Sequence, residues 1–317
     1  MQKLLYILVF ALSSWMMTGC KKEAKLTPTT KPEDVYGDST LPQGNHPYDA
    51  EIQQLFQKYR TLFLYKYKPG DLYYNVVENI EGTYDTAADM ITKPGWFDVP
   101  ANEQYVGQQL DLLKEIWLNY YPDSLLRKGL PQKVYLLDSF YRAYYPYPYK
   151  GPGKPSDYID TDPAAIGDAY AGGDFIVATW GGARINDITK EDKYTLKGRL
   201  NASFLSFARK QGAVRISAAF TALTDYSTLT WGNYQDLGVL YYYYGGQYLL
   251  ADTREKDWDK IIEAIVSNSY DVLTSSGNML SPDTDTKGMY RKKYDVIINY
   301  FKTTFGVDLQ AIGNTGL

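Results

Sequence analysis

One cysteine and one histidine in 317 residues remove most of the side-chain chemistry that a chain of this size usually carries. A lone thiol cannot close an intramolecular disulfide, so the fold must stand on its core. A lone imidazole leaves no multi-histidine metal site, and a Ser/His/Asp triad would have to be built on His46. That residue lies in Asn45-His46-Pro47, which reads as a surface turn. Charge of one sign is lacking too: 33 Lys and Arg are interspersed with 37 Asp and Glu, for a formal charge of −4. There is no basic footprint for nucleic acid. Beyond the first residues no apolar run approaches the length of a bilayer span. The spacing Ser-x-x-Lys is absent, and Ala171-Gly172-Gly173 leads into a strand instead of cradling a phosphate before a helix. The segment Asp283-Thr284-Asp285-Thr286-Lys287-Gly288 opens like a calcium loop. Lys287 and Tyr294 then stand where oxygen ligands are needed. Asp160 and Asp162 read as turn residues of a Pro-rich loop.

What is present begins with a secretion signal. Lys3 precedes an apolar stretch over 4–15, and the small residues Thr18 and Gly19 lead into Cys20, an order that suits acylation of the thiol and cleavage before it. It resembles the bacterial lipobox, with Met17 where Leu is usual. The expectation is a signal peptide over 1–19, then a lipid-anchored flexible arm over 20–45, rich in Lys, Thr and Pro. One domain follows over 46–317. Its length of about 270 residues is ample for a single core.

Apolar spacing predicts helices over 49–65, 106–120, 196–207, 258–266 and 290–305. Short runs rich in Val, Ile, Phe and Tyr predict strands over 133–141 and 174–180, and the stretch between the first two helices, punctuated by Gly82, Pro94, Gly95 and Pro100, reads as loop. Helices dominate around a small central sheet, which makes an α+β domain.

The 32 tyrosines are the compositional excess, clustered over 141–149 and 241–244. Tyrosine joins an apolar face to a hydrogen-bonding tip, and most copies are expected to fill half-buried structural positions. Tyr144, Tyr145, Tyr147, Tyr149 and Trp180 are candidates to stack on a ligand. Asp257, together with Asp259 or Glu263, is the candidate for carboxylate chemistry.

Several segments together carry a family resemblance. Pro47-Tyr48-Asp49-Ala50-Glu51-Ile52 with Phe56, Tyr59 and Tyr65-Lys66-Tyr67, then Ile166-Gly167 and Ala171-Gly172-Gly173, and finally Tyr300-Phe301-Lys302 and Phe305-Gly306-Val307-Asp308-Leu309 resemble the lipoproteins named as zinc-binding metallopeptidases. Those sit beside outer-membrane glycan-uptake systems. The resemblance implies a zincin-like fold and a helix bearing His-His-Glu-Phe or His-Glu-x-x-His, whose two imidazoles hold zinc while the Glu serves as base on the bound water. The matching helix here reads Asn201-Ala202-Ser203-Phe204, with no His, Asp or Glu over 196–207. An acidic helix start expected farther on is Asp257-Trp258-Asp259-Lys260. No zinc or other cofactor is therefore expected, although the family implies zinc.

Three functions follow as expectations. The first is a catalytically silent, outer-membrane-anchored binding or assembly component, facing the periplasm or the outside, with uptake proteins, glycan or peptide as partners and the membrane held through Cys20. The second is a hydrolase of peptides or glycans working through carboxylates. The third is a sugar-binding accessory lipoprotein.

Overall fold

The first helix, α1 (Pro47–Tyr59), starts where Pro47 presets φ and the His46 amide donates to the Asp49 carboxylate at 2.8 Å. It ends earlier than its apolar spacing predicts. Arg60 adopts a left-handed φ of 61° and donates its amide to the carbonyl of Phe56, which closes the helical ladder. The apolar triplet that follows is a buried strand, β1 (Leu62–Leu64). This is a computed structural model, and its described residues are 40–73, 81–85, 87–88, 90–93, 95–143, 169–171, 173–244 and 247–316. Cys20, Tyr144, Tyr145, Tyr147 and Tyr149 lie outside them, as do Asp160 and Asp162.

A short turn of helix, α2 (Pro69–Leu72), precedes three strands, β2 (Thr83–Asp85), β3 (Met90–Lys93) and β4 (Gly95–Pro100). Sequence reading assigned this region to loop. The strands β2 and β3 are short and mostly exposed, so they carry no apolar alternation to detect, and in β4 only the first two residues are buried. Next come α3 (Val106–Ile116), a single 3-10 turn over Leu118–Tyr120, and α4 (Asp123–Gly129). The helix predicted over 106–120 is thus broken at Trp117, whose φ of −141° is not helical.

The sheet is built on β5 (Lys133–Ala143), with β6 (Ala169–Ala171) and β7 (Phe175–Ala178). The first half of β5 pairs in parallel with β1 on one side and β7 on the other, the second half pairs antiparallel with β4, and β6 closes the edge beside β7. Val134, Leu136, Ile176 and Ala178 point into the helical core. Tyr135, Leu137, Phe175 and Val177 are buried on the opposite face. Burial on both faces is why these strands read as unbroken apolar runs.

The remaining elements are α5 (Lys190–Lys210), α6 (Ala218–Thr221), the hairpin β8 (Tyr241–Tyr244) and β9 (Gln247–Leu250), and then α7 (Arg254–Ser267), α8 (Tyr270–Thr274), α9 (Met289–Phe305) and α10 (Leu309–Asn314). The helix α5 begins in a capping box, in which the Asp192 amide donates to Thr189 Oγ1 and the Thr189 amide to the Asp192 carboxylate, both at 3.1 Å. It crosses α7 closely at Gly198, where an added Cβ would lie 2.6 Å from Ser267 Oγ. Among the described residues, helices, a five-stranded mixed sheet and the two-stranded sheets β2–β3 and β8–β9 make the predicted α+β domain. Its contacts begin upstream of His46, since Gln43 Oε1 accepts the amide of Tyr65 at 2.9 Å and Leu41 packs on the core.

Candidate functional site

The helix α5 carries the residues that stand where the family resemblance implies zinc ligands. Asn201 is fully buried, and every polar atom of its amide is engaged. Its Oδ1 accepts the hydroxyl of Tyr121 at 2.7 Å, and its Nδ2 donates to the carbonyls of Ile116 at 2.9 Å and Lys197 at 2.7 Å. The Ile116 carbonyl belongs to the last turn of α3, where no intrahelical donor is left for it. Burial holds the Tyr121 phenol protonated far above its usual range. One turn on, Phe204 is buried against Trp117 and Tyr121, with ring centroids 5.9 and 4.7 Å away. Ala202 and Ser203 are half-buried. The donor set does not fit zinc, because the inward-facing polar side chain of the stretch Asn201 to Phe204 is an amide already committed to three partners.

The two acidic candidates on α7 point away from each other, as residues two apart on a helix must. Asp257 faces inward. Its Oδ2 meets Lys293 Nζ at 2.6 Å and accepts the Tyr226 hydroxyl at 2.7 Å, both members of the ion pair being fully buried. Lys293 also donates to the carbonyl of Gly238 at 2.8 Å, while Asp257 Oδ1 has no partner among the described residues. Burial pushes the Asp257 carboxyl up against the pull of Lys293 and Tyr226, and it pushes the Lys293 amine down. Asp259 instead receives Arg209 through two bonds of 2.7 Å and Ser206 through one of 2.8 Å, a fork geometry that ties α7 to α5. Glu263 pairs with Lys260 at 2.6 Å on the exposed side. Each of these carboxylates is paired with its own cation.

Trp180 is 8% exposed, has a left-handed φ of 74°, and is covered by the Arg184 guanidinium 4.1 Å from its ring. The calcium-like segment folds onto itself. Asp283 accepts Ser276 Oγ and the Gly277 amide, and Asp285 accepts the amides of Tyr290 and Arg291 at the start of α9.

The single histidine sits in a denser setting than a plain surface turn. His46 stacks on Tyr48 with centroids 4.8 Å apart, and its two ring nitrogens lie 3.3 Å from Asp49 and 3.4 Å from Glu103. Burial would raise Asp49, but hydrogen bonds from the His46 amide and the Tyr65 hydroxyl hold its carboxyl below the usual range. Lys197 is a second feature that sequence reading missed. It is fully buried on α5 and donates to the carbonyls of Ile312, Gly313 and Thr315 at 2.6, 3.4 and 2.9 Å. These lie at the C-terminal end of α10, the negative end of the helix dipole. Burial pushes its amine down to about 8.

Among the described residues, no group of three or more His, Cys, Asp or Glu is placed to hold a metal ion, and no helix is long and apolar enough to cross a membrane. No family model matches the chain. No curated protein matches it either. Among solved structures the chain is similar to a protein of Bacteroides caccae ATCC 43185 described as a "putative zinc-binding metallo-peptidase". The identity is 13%, the TM-score 0.44, and the match covers 85% of this chain and 91% of that one.

Four of the exposed large aromatics, Trp231, Tyr241, Tyr243 and Tyr248, lie on the stretch that leads from α6 through the β8–β9 hairpin. The run Tyr241 to Tyr244 signalled it in composition. Four identical residues in a row gave no sign of which side chains face solvent.

Proposed function

We propose that this chain is a lipid-anchored cell-envelope protein that binds rather than cleaves, a catalytically silent binding or assembly component held to the outer membrane through Cys20 and serving nutrient uptake. The observation that carries the reading is the state of Asn201. At the place where the family resemblance calls for paired imidazoles and a carboxylate base, the inward-facing side chain is an amide whose hydrogen bonds all go to Tyr121, Ile116 and Lys197. No atom of that amide is free to polarise a water or a carbonyl. The separate engagements of Asp257 and Asp259 support the same reading, since carboxylate hydrolysis needs two groups converging on one bond.

The lipid anchor rests on Lys3, the short apolar run and Thr18-Gly19-Cys20, and the placement at the outer membrane rests on the family resemblance. Metal analysis of the purified mature protein, loaded with zinc and then dialysed, tests the silent site. The expected outcome is zinc far below one per chain and no cleavage of a peptide library. Tightly bound stoichiometric zinc overturns the reading.

A further inference from the structure

We infer that the β8–β9 hairpin and the turn before it form a stacking site for uncharged saccharide chains, an inference that rests on the reading of the protein as a binder and names its ligand class. The register of the hairpin pairs Tyr241 with Leu250 and Tyr243 with Tyr248. In a two-stranded ribbon, residues opposite each other and two apart share a face, so Tyr241, Tyr243 and Tyr248 stand on the same side. They are 50, 43 and 62% exposed, and Trp231, at 53%, extends the row. The rings touch in sequence. Trp231 meets Tyr234 at 5.7 Å, Tyr234 meets Tyr241 at 6.0 Å, Tyr241 meets Tyr248 at 5.5 Å, and Tyr248 meets Tyr243 at 5.1 Å between centroids. Most of these contacts are edge to face, the geometry aromatic quadrupoles favour, and they hold the row in place without help from solvent.

A row of exposed rings is a costly use of apolar surface unless something covers it, and this one is braced from below. Tyr290 donates to the carbonyl of Val239 at 2.8 Å, Lys293 donates to that of Gly238 at 2.8 Å, and the Ala251 amide donates to the carbonyl of Leu240 at 2.9 Å. The chain entering the hairpin is therefore fastened to α9 and its two ends are bonded to each other, so the row is set before any ligand arrives, which lowers the ordering cost of binding.

Charge selects the occupant. The face presents Trp231, Tyr234, Tyr241, Tyr243 and Tyr248, with no Asp, Glu, Lys or Arg among them. Two nearby cations, Lys256 and Lys260, both sit at Tyr242, the residue that points to the other face. A nucleic acid or an anionic lipid finds no counter-charge here. The hydroxyls of Tyr234, Tyr241, Tyr243 and Tyr248 and the indole N–H of Trp231 make no hydrogen bond with other described residues, so polar tips and apolar faces are offered together. A neutral pyranose chain matches both, with C–H faces for the rings and hydroxyls for the tips. A protein segment is the competing occupant, and the test separates the two.

The mature protein is titrated by calorimetry with maltoheptaose, cellohexaose, xylohexaose and mannohexaose, with polygalacturonate as the charged control. The expected result is binding of at least one neutral oligosaccharide and none of the control. Tyr248→Ala and Trp231→Ala should each weaken it about tenfold, the order expected for loss of one stacked ring. Tyr248→Phe keeps the ring and should retain most of the affinity, and Tyr141→Ala, at an exposed tyrosine elsewhere, should leave it unchanged. Binding that ignores both alanine substitutions overturns the site while leaving the protein a binder. No neutral saccharide bound at all overturns the inference, and a protein partner lost in the same two variants would then take the place of the glycan. Stoichiometric zinc, in contrast, strikes the reading of a silent site whatever the saccharides do.

Discussion

Around α5, Tyr121 is buried with its hydroxyl on Asn201, whereas on the hairpin Tyr248 is 62% exposed and its hydroxyl bonds to no described residue. The same residue type serves as an internal strut in one region and as an open surface in the other. The difference lies in what each environment does to the polar tip. A buried phenol left without a partner costs about 1–3 kcal/mol, so the interior has recruited Asn201 to meet it. At the surface water meets the hydroxyl at no cost, and the tip stays available. The interior thus commits its polar groups to one another, and the hairpin keeps its groups uncommitted.

The largest effect that sharpens this contrast is expected at the buried ion pair beneath the hairpin. Lys293→Met leaves Asp257 buried and uncompensated and should lower unfolding free energy by about 3–5 kcal/mol. The double variant Asp257→Leu/Lys293→Met removes both charges and should recover most of that loss. Urea denaturation of the wild type, both single variants and the double variant measures the coupling. Purely additive losses would show that the pair is not a unit. Next in size is Asn201→Ala, which strands the Tyr121 hydroxyl and the Ile116 carbonyl together and should cost about 2–4 kcal/mol. A loss below about 0.5 kcal/mol, the range of ordinary surface changes, would mean the amide network does not organise the interior.

Much of the helical frame was legible in the sequence, and the reason is physical. The helices α7 and α9 bury one stripe, Trp258, Ile261, Ile262 and Ile265 on one and Tyr290, Tyr294, Ile297 and Phe301 on the other, so their spacing repeats the 3.6-residue turn. The strand at β5 was legible because both its faces are covered. Where the pattern failed, a single backbone event decided the outcome, as at Arg60, where a left-handed residue cuts a helix that the apolar spacing would carry on to Tyr65. The candidate site divides the same way. The lack of imidazoles on α5 is visible in any reading of the chain. That Asp257 finds Lys293, 36 residues away, and that Lys197 finds the end of α10, more than 110 residues away, are tertiary facts with no local signal.

Lys197 supplies a smaller, pH-dependent probe of the interior. Its amine is lowered from 10.5 to about 8 on folding. Between those values the unfolded chain holds a proton that the folded chain has released, so stability rises with pH in that window and gains nothing from this residue below it. Tyrosines raised by burial, Tyr226 and Tyr290 among them, act in the opposite sense above pH about 10, where unfolded phenols ionise, which leaves pH 8 to 10 as the useful range. Relative to Lys197→Met, the wild type should gain about 2 kcal/mol across it. A difference between the two proteins that stays constant from pH 7 to pH 10 would remove Lys197 from the account.

The smallest expected effect lies on the hairpin and completes the comparison. Tyr248→Ser deletes the most exposed ring of the row, whose neighbours Tyr241 and Tyr243 touch it only by their edges. Little apolar area leaves water when Tyr248 folds, so stability should move by no more than about 0.5 kcal/mol. The circular dichroism spectrum should be unchanged outside its aromatic bands. A side chain that large, deleted at so little cost to folding, has its use outside the fold. Should Tyr248→Ser instead unfold at markedly lower urea, the ring row would be a structural cluster like that around Tyr121, and the division between interior strut and open surface would fail at the residue chosen to represent it.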